Sequence, residues 1–259
     1  MSLPILIVNP NTTAAMTEGL KPLLESFIAS SSLPPPVFFT SPTGVPSINN
    51  DADCHHSASE VLPLLTSPSG TCPSVFSSSA VLVACYSVHP LVGQLKRALA
   101  DVGHPPRPVL GIFEASILAS LNHLAGADPD DQFGIVTTGA VWEQILSDGV
   151  RGFLGATDVR RFAGVATTGL SAVELHDAPA DEVKTRLKDA TKCLIRQASA
   201  SGKGRLRAVC LGCAGMAGMD EMVREACVEE LGAEGEVVRI VDGVKAGYAM
   251  LEGMVRMQY

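Results

Sequence analysis

The chain alternates short, near-continuous apolar runs with stretches in which apolar residues recur every three or four positions. The runs cover residues 3–8, 36–40, 80–85, 108–112, 133–138, 162–168, 207–213 and 236–241. They are rich in β-branched residues and of the length expected for strands buried on both faces. Residues 14–29, 90–100, 183–198 and 219–231 carry helical periodicity. Apolar strands separated by helices predict an α/β fold with parallel sheets, because helices then cover both sheet faces. Stretches rich in Ser, Pro and Gly at 30–36 and 66–79 read as surface connections.

The strand pattern also repeats. At a separation of 128 residues, Ile7 falls on Ile135, Val8 on Val136, Asn9 on Thr137, Thr40 on Thr168, Cys85 on Cys213, Ile112 on Ile240 and Glu114 on Asp242. Four strand ends coincide at one shift, so the chain reads as two similar halves. Each half places a cysteine at the C-terminal end of its third strand, the end at which open α/β sheets bind ligands. Glu114 and Asp242 read as carboxylates at helix N-termini, where the dipole favours them.

Composition narrows the function classes. The chain has 259 residues, 46% of them hydrophobic, enough for one large core or two smaller lobes. A net charge of -8 and a single short basic cluster at 201–207 exclude the footprint of a nucleic-acid binder. No apolar run approaches the ~20 residues of a membrane span, and the N-terminal segment has no basic lead or cleavage site, so a soluble, cytoplasmic protein is expected. Seven cysteines without framework spacing suit a reducing compartment.

Cys210 and Cys213, in "AVCLGCAG", have C-x-x-C spacing and admit several readings. A zinc site needs two further ligands. Cys54, His55 and His56 would be the source, but adjacent histidines in a polar loop read as solvated. A thioredoxin-like pair opens a helix, whereas Cys210 sits inside a strand pattern and reads as a small buried hydrophobe. Gly212, Gly215 and Gly218 have the spacing G-x-x-G-x-x-G rather than G-x-G-x-x-G, which leaves a nicotinamide-dependent oxidoreductase a distant option. These glycines would let backbone N–H groups and a ligand oxygen approach closely. The reading that uses both halves pairs Cys85 with Cys213: a thiolate removes a proton from a carbon acid and a thiol returns one to the opposite face, inverting a stereocentre. A thiol of ordinary pKa about 8.5 serves either role once a helix N-terminus lowers it. Helical stretches follow both cysteines, from Pro90 and from Gly215, and backbone amides at the same turns would hold the carbanion's charge.

The segments "IVNPNTTAAMT", "VLVACYSVHPL", "GIFEAS" and "VCLGCAGM" resemble, in order and over nearly the whole chain, the hydantoin racemase branch of the aspartate/glutamate racemase superfamily, which includes allantoin racemases and fungal relatives. The C-N-T and G-C-T surroundings of glutamate and aspartate racemases are absent. The resemblance implies racemisation at C5 of a 5-substituted hydantoin, with allantoin the leading candidate and with neither cofactor nor metal. It implies two pseudosymmetric α/β lobes, each a mainly parallel sheet flanked by helices, with the active site in the cleft between them. Lobe 1 is expected to comprise 1–104 plus 225–259, and lobe 2 to comprise 105–224.

Carried over by motif, Cys85 and Cys213 are the acid/base pair. Asn9, Asn11 and Thr12 bind ring polar groups, Thr137 and Thr138 are their second-lobe counterparts, and Tyr86 and Ala214 offer backbone N–H groups. Such uncharged partners suit the imide-like rim of a hydantoin. The partner is then a small molecule, with no nucleic acid and no membrane, and assembly into a homo-oligomer is expected. In one departure, "SVHPL" replaces an acidic residue and Pro-Gly after the first cysteine. It raises a Cys85–His89 nucleophile and base pair, against a helix-start role for His89. Two alternatives remain: a decarboxylase or isomerase acting on another carbon acid, and a non-catalytic small-molecule binder.

Overall fold

A computed structural model describes residues 3–67, 73–101, 107–126, 128–156, 159–200 and 204–258. Cys72 and residues 201–203 of the basic cluster lie outside the described residues. In chain order the elements are β1 (Ile5–Asn9), α1 (Ala14–Ser30), β2 (Val37–Thr40), α2 (Asp51–Thr66), β3 (Ala80–Val83), α3 (Pro90–Asp101), β4 (Val109–Gly111) and α4 (Ile112–Leu124). There follow β5 (Gln132–Thr137), α5 (Val141–Leu154), β6 (Phe162–Thr167), α6 (Glu174–Asp177), α7 (Ala180–Ala200), β7 (Leu206–Leu211), α8 (Asp220–Leu231), β8 (Arg239–Asp242) and α9 (Gly243–Met257). Every predicted strand is present within a few residues. Among the described residues, no helix is long and apolar enough to cross a membrane.

The helices α2, α4, α5 and α9 go beyond the periodicity reading, and α2 corrects it. Cys54, His55 and His56 lie in this helix and not in a polar loop. The Asn50 side chain caps it by accepting from the Asp53 N–H at 2.9 Å, and Asp51 and Asp53 occupy the first turn. Cys54, Ser57, Ala58, Val61 and Leu65 form the buried stripe. The polar composition of 49–60 masks that stripe in the sequence.

The chain divides into two compact units, Met1–Ala115 with Val244–Tyr259, and Ser116–Gly243. The first holds a sheet of order β2-β1-β3-β4 and the second a sheet of order β6-β5-β7-β8, all pairs parallel. The repeat seen in the sequence is therefore a repeat of topology. Its central register is exact: Ile7 pairs with Leu82 and Ile135 with Cys210, each set 128 residues apart. The outer strands drift. Asn9 pairs with Thr40 but Thr137 with Thr167, so Thr167 and not Thr168 is the counterpart of Thr40. Val83 pairs with Gly111 and Leu211 with Asp242, so Asp242 matches Gly111 rather than Glu114.

Side chains alternate across each sheet as a pleated strand requires. In the first unit Leu6, Val8, Val81 and Val83 pack with the apolar faces of α2 and α3. In the second, Val136, Val209 and Leu211 pack with α7 and α8. Segment 225–243, expected in lobe 1, belongs to the second unit, because β8 completes the sheet beside β7, and residues 107–115, expected in lobe 2, belong to the first, because β4 completes the sheet beside β3. Only α9 returns to the first unit. Its Gly247 lies against β3: a Cβ there would stand 2.5 Å from Leu82 Cδ1 and 3.4 Å from Ala115 Cβ.

Gly247→Val is therefore expected to destabilise the fold by about 1–3 kcal/mol through overpacking. Gly19→Ala in α1, where nothing lies within 4 Å, should gain up to about 1 kcal/mol from helix propensity. Urea denaturation of both variants beside the wild type measures the contrast.

Candidate active site

The third strand of each unit is extended by one backbone hydrogen bond. Ala84 N–H donates to Val8 O at 2.8 Å, and Gly212 N–H donates to Val136 O at 2.7 Å. The next residue in each case is a partly exposed cysteine, Cys85 and Cys213. The two cysteines thus occupy equivalent points, just past the C-terminal end of the strand that pairs with the first strand of the unit. Gly212 has a packing reason to be glycine. A Cβ there would stand 2.7 Å from both Val136 O and Thr137 Cβ, so the absent side chain admits a neighbouring strand and not a ligand. Thr137 Oγ1 locks the turn by donating to Gly212 O at 2.6 Å.

In the first unit Cys85 Sγ lies 3.5 Å from Ser87 Oγ. Cys54, reaching in from α2, donates to the same oxygen at 3.4 Å. Hydrogen bonding with Cys85, and secondarily with Ser87, holds the Cys54 thiol below its ordinary pKa, although burial and the charges of Asp51 and Asp53 oppose this. The sequence marks Cys54 only as a candidate zinc ligand beside His55 and His56, and Ser87 not at all. Tyr86 is buried, its ring edge-on to Phe113 at 5.6 Å and 89°.

In the β1–α1 loop, the Asn9 amide donates to Asn11 Oδ1 (3.1 Å), Thr13 O (3.2 Å) and Thr17 Oγ1 (3.0 Å), and its Oδ1 accepts from Asn11 N–H at 3.2 Å. Asn9 is thus engaged in shaping the loop. Among the described residues, Asn11 Nδ2 donates only to the Met16 thioether, at 3.3 Å, a weak acceptor. Thr12 is tied down through its backbone N–H to Val45 O at 3.0 Å.

In the second unit Cys213 caps the single turn Ala214–Met216, its Sγ accepting from Gly215 N–H at 3.3 Å. Burial pushes its thiol up to about 11, outweighing the amides of Gly215 and Met216, which favour the thiolate. His176 of α6 lies beside this turn: a Cβ on Gly215 would be 3.3 Å from its Nε2 and 3.4 Å from Cys213 Sγ. Thr138 is buried and its carbonyl accepts from Gly169 N–H at 3.1 Å. Ala214 sits at the start of the turn, partly exposed. Cys210 is fully buried, its thiol 3.1 Å from Ser120 Oγ and 3.8 Å from Ser116 O, a core residue as its strand position predicts.

Two further groups resolve by burial. Glu114, in the first turn of α4, lies over Gly111, where a Cβ would collide with its Oε2. Burial raises its pKa, against nearby backbone amides and Lys96. His89, only 3% exposed, accepts from Leu91 N–H at 3.3 Å through Nδ1 and so caps α3. Burial, assisted by the charge of His55, lowers its pKa from 6.5 to about 4. A neutral imidazole with Nδ1 occupied is poorly suited to form an ion pair with the Cys85 thiolate, which disfavours the nucleophile and base reading. Among the described residues, no group of three or more His, Cys, Asp or Glu side chains is arranged to hold a metal ion; His55 and His56 are exposed on α2.

Because the folded state depresses the His89 pKa, its contribution to stability is complete above about pH 6.5 and is lost as pH falls through about 4. The loss is expected to reach about 3 kcal/mol. His89→Asn, which retains an acceptor for the Leu91 N–H, should flatten this part of the curve of unfolding free energy against pH.

Comparison with known proteins places this geometry in context. The chain is 34% identical to uncharacterized protein C1F7.10 of Schizosaccharomyces pombe, over 98% of this chain and 92% of that protein. It is similar to the crystal structure of allantoin racemase from Pseudomonas fluorescens, with TM-score 0.75, 25% identity and coverage of 99% of this chain and 92% of that one. A second structure, allantoin racemase from Klebsiella pneumoniae, matches with TM-score 0.70 and 25% identity, covering 99% of this chain and 89% of that one. The family model for Asp/Glu/Hydantoin racemase matches residues 5–251, and the chain belongs to that family.

Proposed function

We propose that the protein is a racemase that inverts C5 of 5-substituted hydantoins, allantoin foremost, by proton transfer between two thiols. The observation that carries the reading is the equivalence of Cys85 and Cys213, each fixed past the third strand of its own parallel sheet. A reaction that treats the two faces of one carbon alike calls for such a pair of groups. The allantoin racemases among its structural relatives support the choice of substrate.

The chemistry follows from the two environments. Cys213, with its thiol pushed up to about 11, carries its proton at neutral pH and is the resting acid. Cys85, whose Sγ lies 3.5 Å from the Ser87 hydroxyl, takes the complementary role of base. The Cys85 thiolate takes the C5 proton: an S–H bond forms, the C5–H bond breaks, and the electron pair passes into the adjacent ring carbonyl. Cys213 then protonates C5 from the opposite face and is left as the thiolate, and exchange with solvent resets the pair. Backbone N–H groups of Tyr86 and Ala214 hold the ring oxygens on which charge develops. Asn11, Thr12 and Thr138 serve the remaining ring groups, while Asn9 and Thr137 fix the loops that carry them.

In D2O, inversion of enantiopure allantoin or a 5-alkylhydantoin is expected to introduce deuterium at C5. Cys85→Ser and Cys213→Ser should each lower the inversion rate at least about a hundredfold, while one of them retains exchange without inversion for a single enantiomer. Circular dichroism for inversion and NMR for exchange, each corrected for the uncatalysed rate, read both. Normal racemisation by either variant would overturn the two-thiol mechanism, and turnover of malonates or maleate instead of hydantoins would move the activity to another carbon acid.

A further inference from the structure

Cys54 is 1% exposed and takes no part in the proton transfer described above. A buried cysteine is ordinarily a small hydrophobe whose thiol is hard to ionise. Cys227 behaves so, its thiol pushed up to about 11 by burial. Cys54 differs because its thiol is directed at a hydroxyl that serves a second thiol. Its Sγ donates to Ser87 Oγ at 3.4 Å, and that oxygen, on a residue 2% exposed, stands 3.5 Å from Cys85 Sγ. A hydroxyl carries one proton. Once Ser87 accepts from Cys54, its own proton is left for Cys85, and the chain of donors runs from Cys54 through Ser87 to the Cys85 sulfur.

The second unit supports this assignment independently. There the residue two beyond the cysteine is Gly215, whose backbone N–H donates to Cys213 Sγ at 3.3 Å. In the first unit the matching backbone N–H, that of Ser87, is engaged with Cys85 O at 3.1 Å. The hydroxyl takes over the donor role, and a hydroxyl, unlike an amide, needs its direction fixed. Cys54 supplies that direction.

We propose that Cys54 and Ser87 are positioning residues for Cys85, Cys54 acting through the Ser87 hydroxyl to stabilise the Cys85 thiolate. The link to catalysis rests on the racemase reading above, but the hydrogen-bond relay itself does not. The titratable groups around it are Cys85 itself, whose hydrogen bond with Cys54, aided by Ser87, lowers the Cys54 pKa, so that the two thiols share one hydrogen-bonded charge; Asp51 and Asp53 on α2, which oppose that charge; and His55 on the same helix with the neutral His89 ahead of α3.

The test is the rate of Cys85 alkylation by iodoacetamide as a function of pH, read on the Cys85 peptide by mass spectrometry so that label on other cysteines does not interfere. Cys54→Ala and Ser87→Ala are expected to raise the midpoint by about half to one pH unit and to slow Cys85 alkylation about three- to tenfold near neutral pH. Cys54→Ser, which retains a donor toward Ser87, should return the rate to within about twofold of wild type. An unchanged midpoint in Ser87→Ala overturns the relay, and Ser87→Ala leaves α2 intact if Cys54→Ala does not fold. A shift in Ser87→Ala with none in Cys54→Ala overturns the role of Cys54. Hydantoin inversion measured on the same wild-type preparation separates the two readings. Shifted alkylation in a protein that inverts no hydantoin retains the relay and removes the racemase assignment.

Discussion

Two backbone hydrogen bonds, Ala84 N–H to Val8 O and Gly212 N–H to Val136 O, decide where Cys85 and Cys213 stand. Parallel strands bring their C-terminal ends to the same edge of a sheet, where the chain leaves the ladder and side chains become available to a ligand. By carrying the pairing of the third strand with the first one residue beyond the strand, these bonds release each cysteine from a fixed point. In the second unit the constraint is tight enough that residue 212 has no space for a Cβ, and the Thr137 hydroxyl closes the turn. Thr137 and Asn9, equivalent positions on the first strands, thus serve the same end by different bonds. Thr137 holds the turn that carries Cys213, and Asn9 shapes the loop beside β1.

Equal placement does not give equal thiols. Cys213 lies in surroundings dense enough to raise its pKa to about 11 despite two backbone amides. Cys85 has a hydroxyl beside it and a second thiol behind that hydroxyl. Desolvation penalises a thiolate and hydrogen bonds stabilise one, so a repeated fold places its two cysteines in unlike surroundings. His89, beside the first cysteine loop, adds no positive charge at neutral pH, because burial keeps it neutral and α3 occupies its Nδ1.

The strands were legible because an apolar run is a local property, and so was the repeat at 128 residues, since the central strands hold the same register in both units. Other features were not. A single shift of 128 matches Thr168 to Thr40 and Asp242 to Glu114, but the edge strands of the two units pair in slightly different registers. The helix α2 was hidden by its polar composition, although the Asn50 cap, the acidic first turn and the spacing of Cys54, Ser57, Ala58, Val61 and Leu65 together would have marked it.

The sequence by itself determined the α/β class, the two-part repeat and the equivalent positions of Cys85 and Cys213 in the two halves, because hydrophobic periodicity and motif spacing are written along the chain. Only the tertiary structure decided that β8 stays with the second sheet while α9 returns to the first unit, that Gly212 is required by a neighbouring strand, and that Cys54 stands behind Cys85 through Ser87. Those facts depend on atoms brought together from 33 or 75 residues apart. No local pattern encodes such a meeting; it exists only once the sheets have set the strand order and the helices have packed against them.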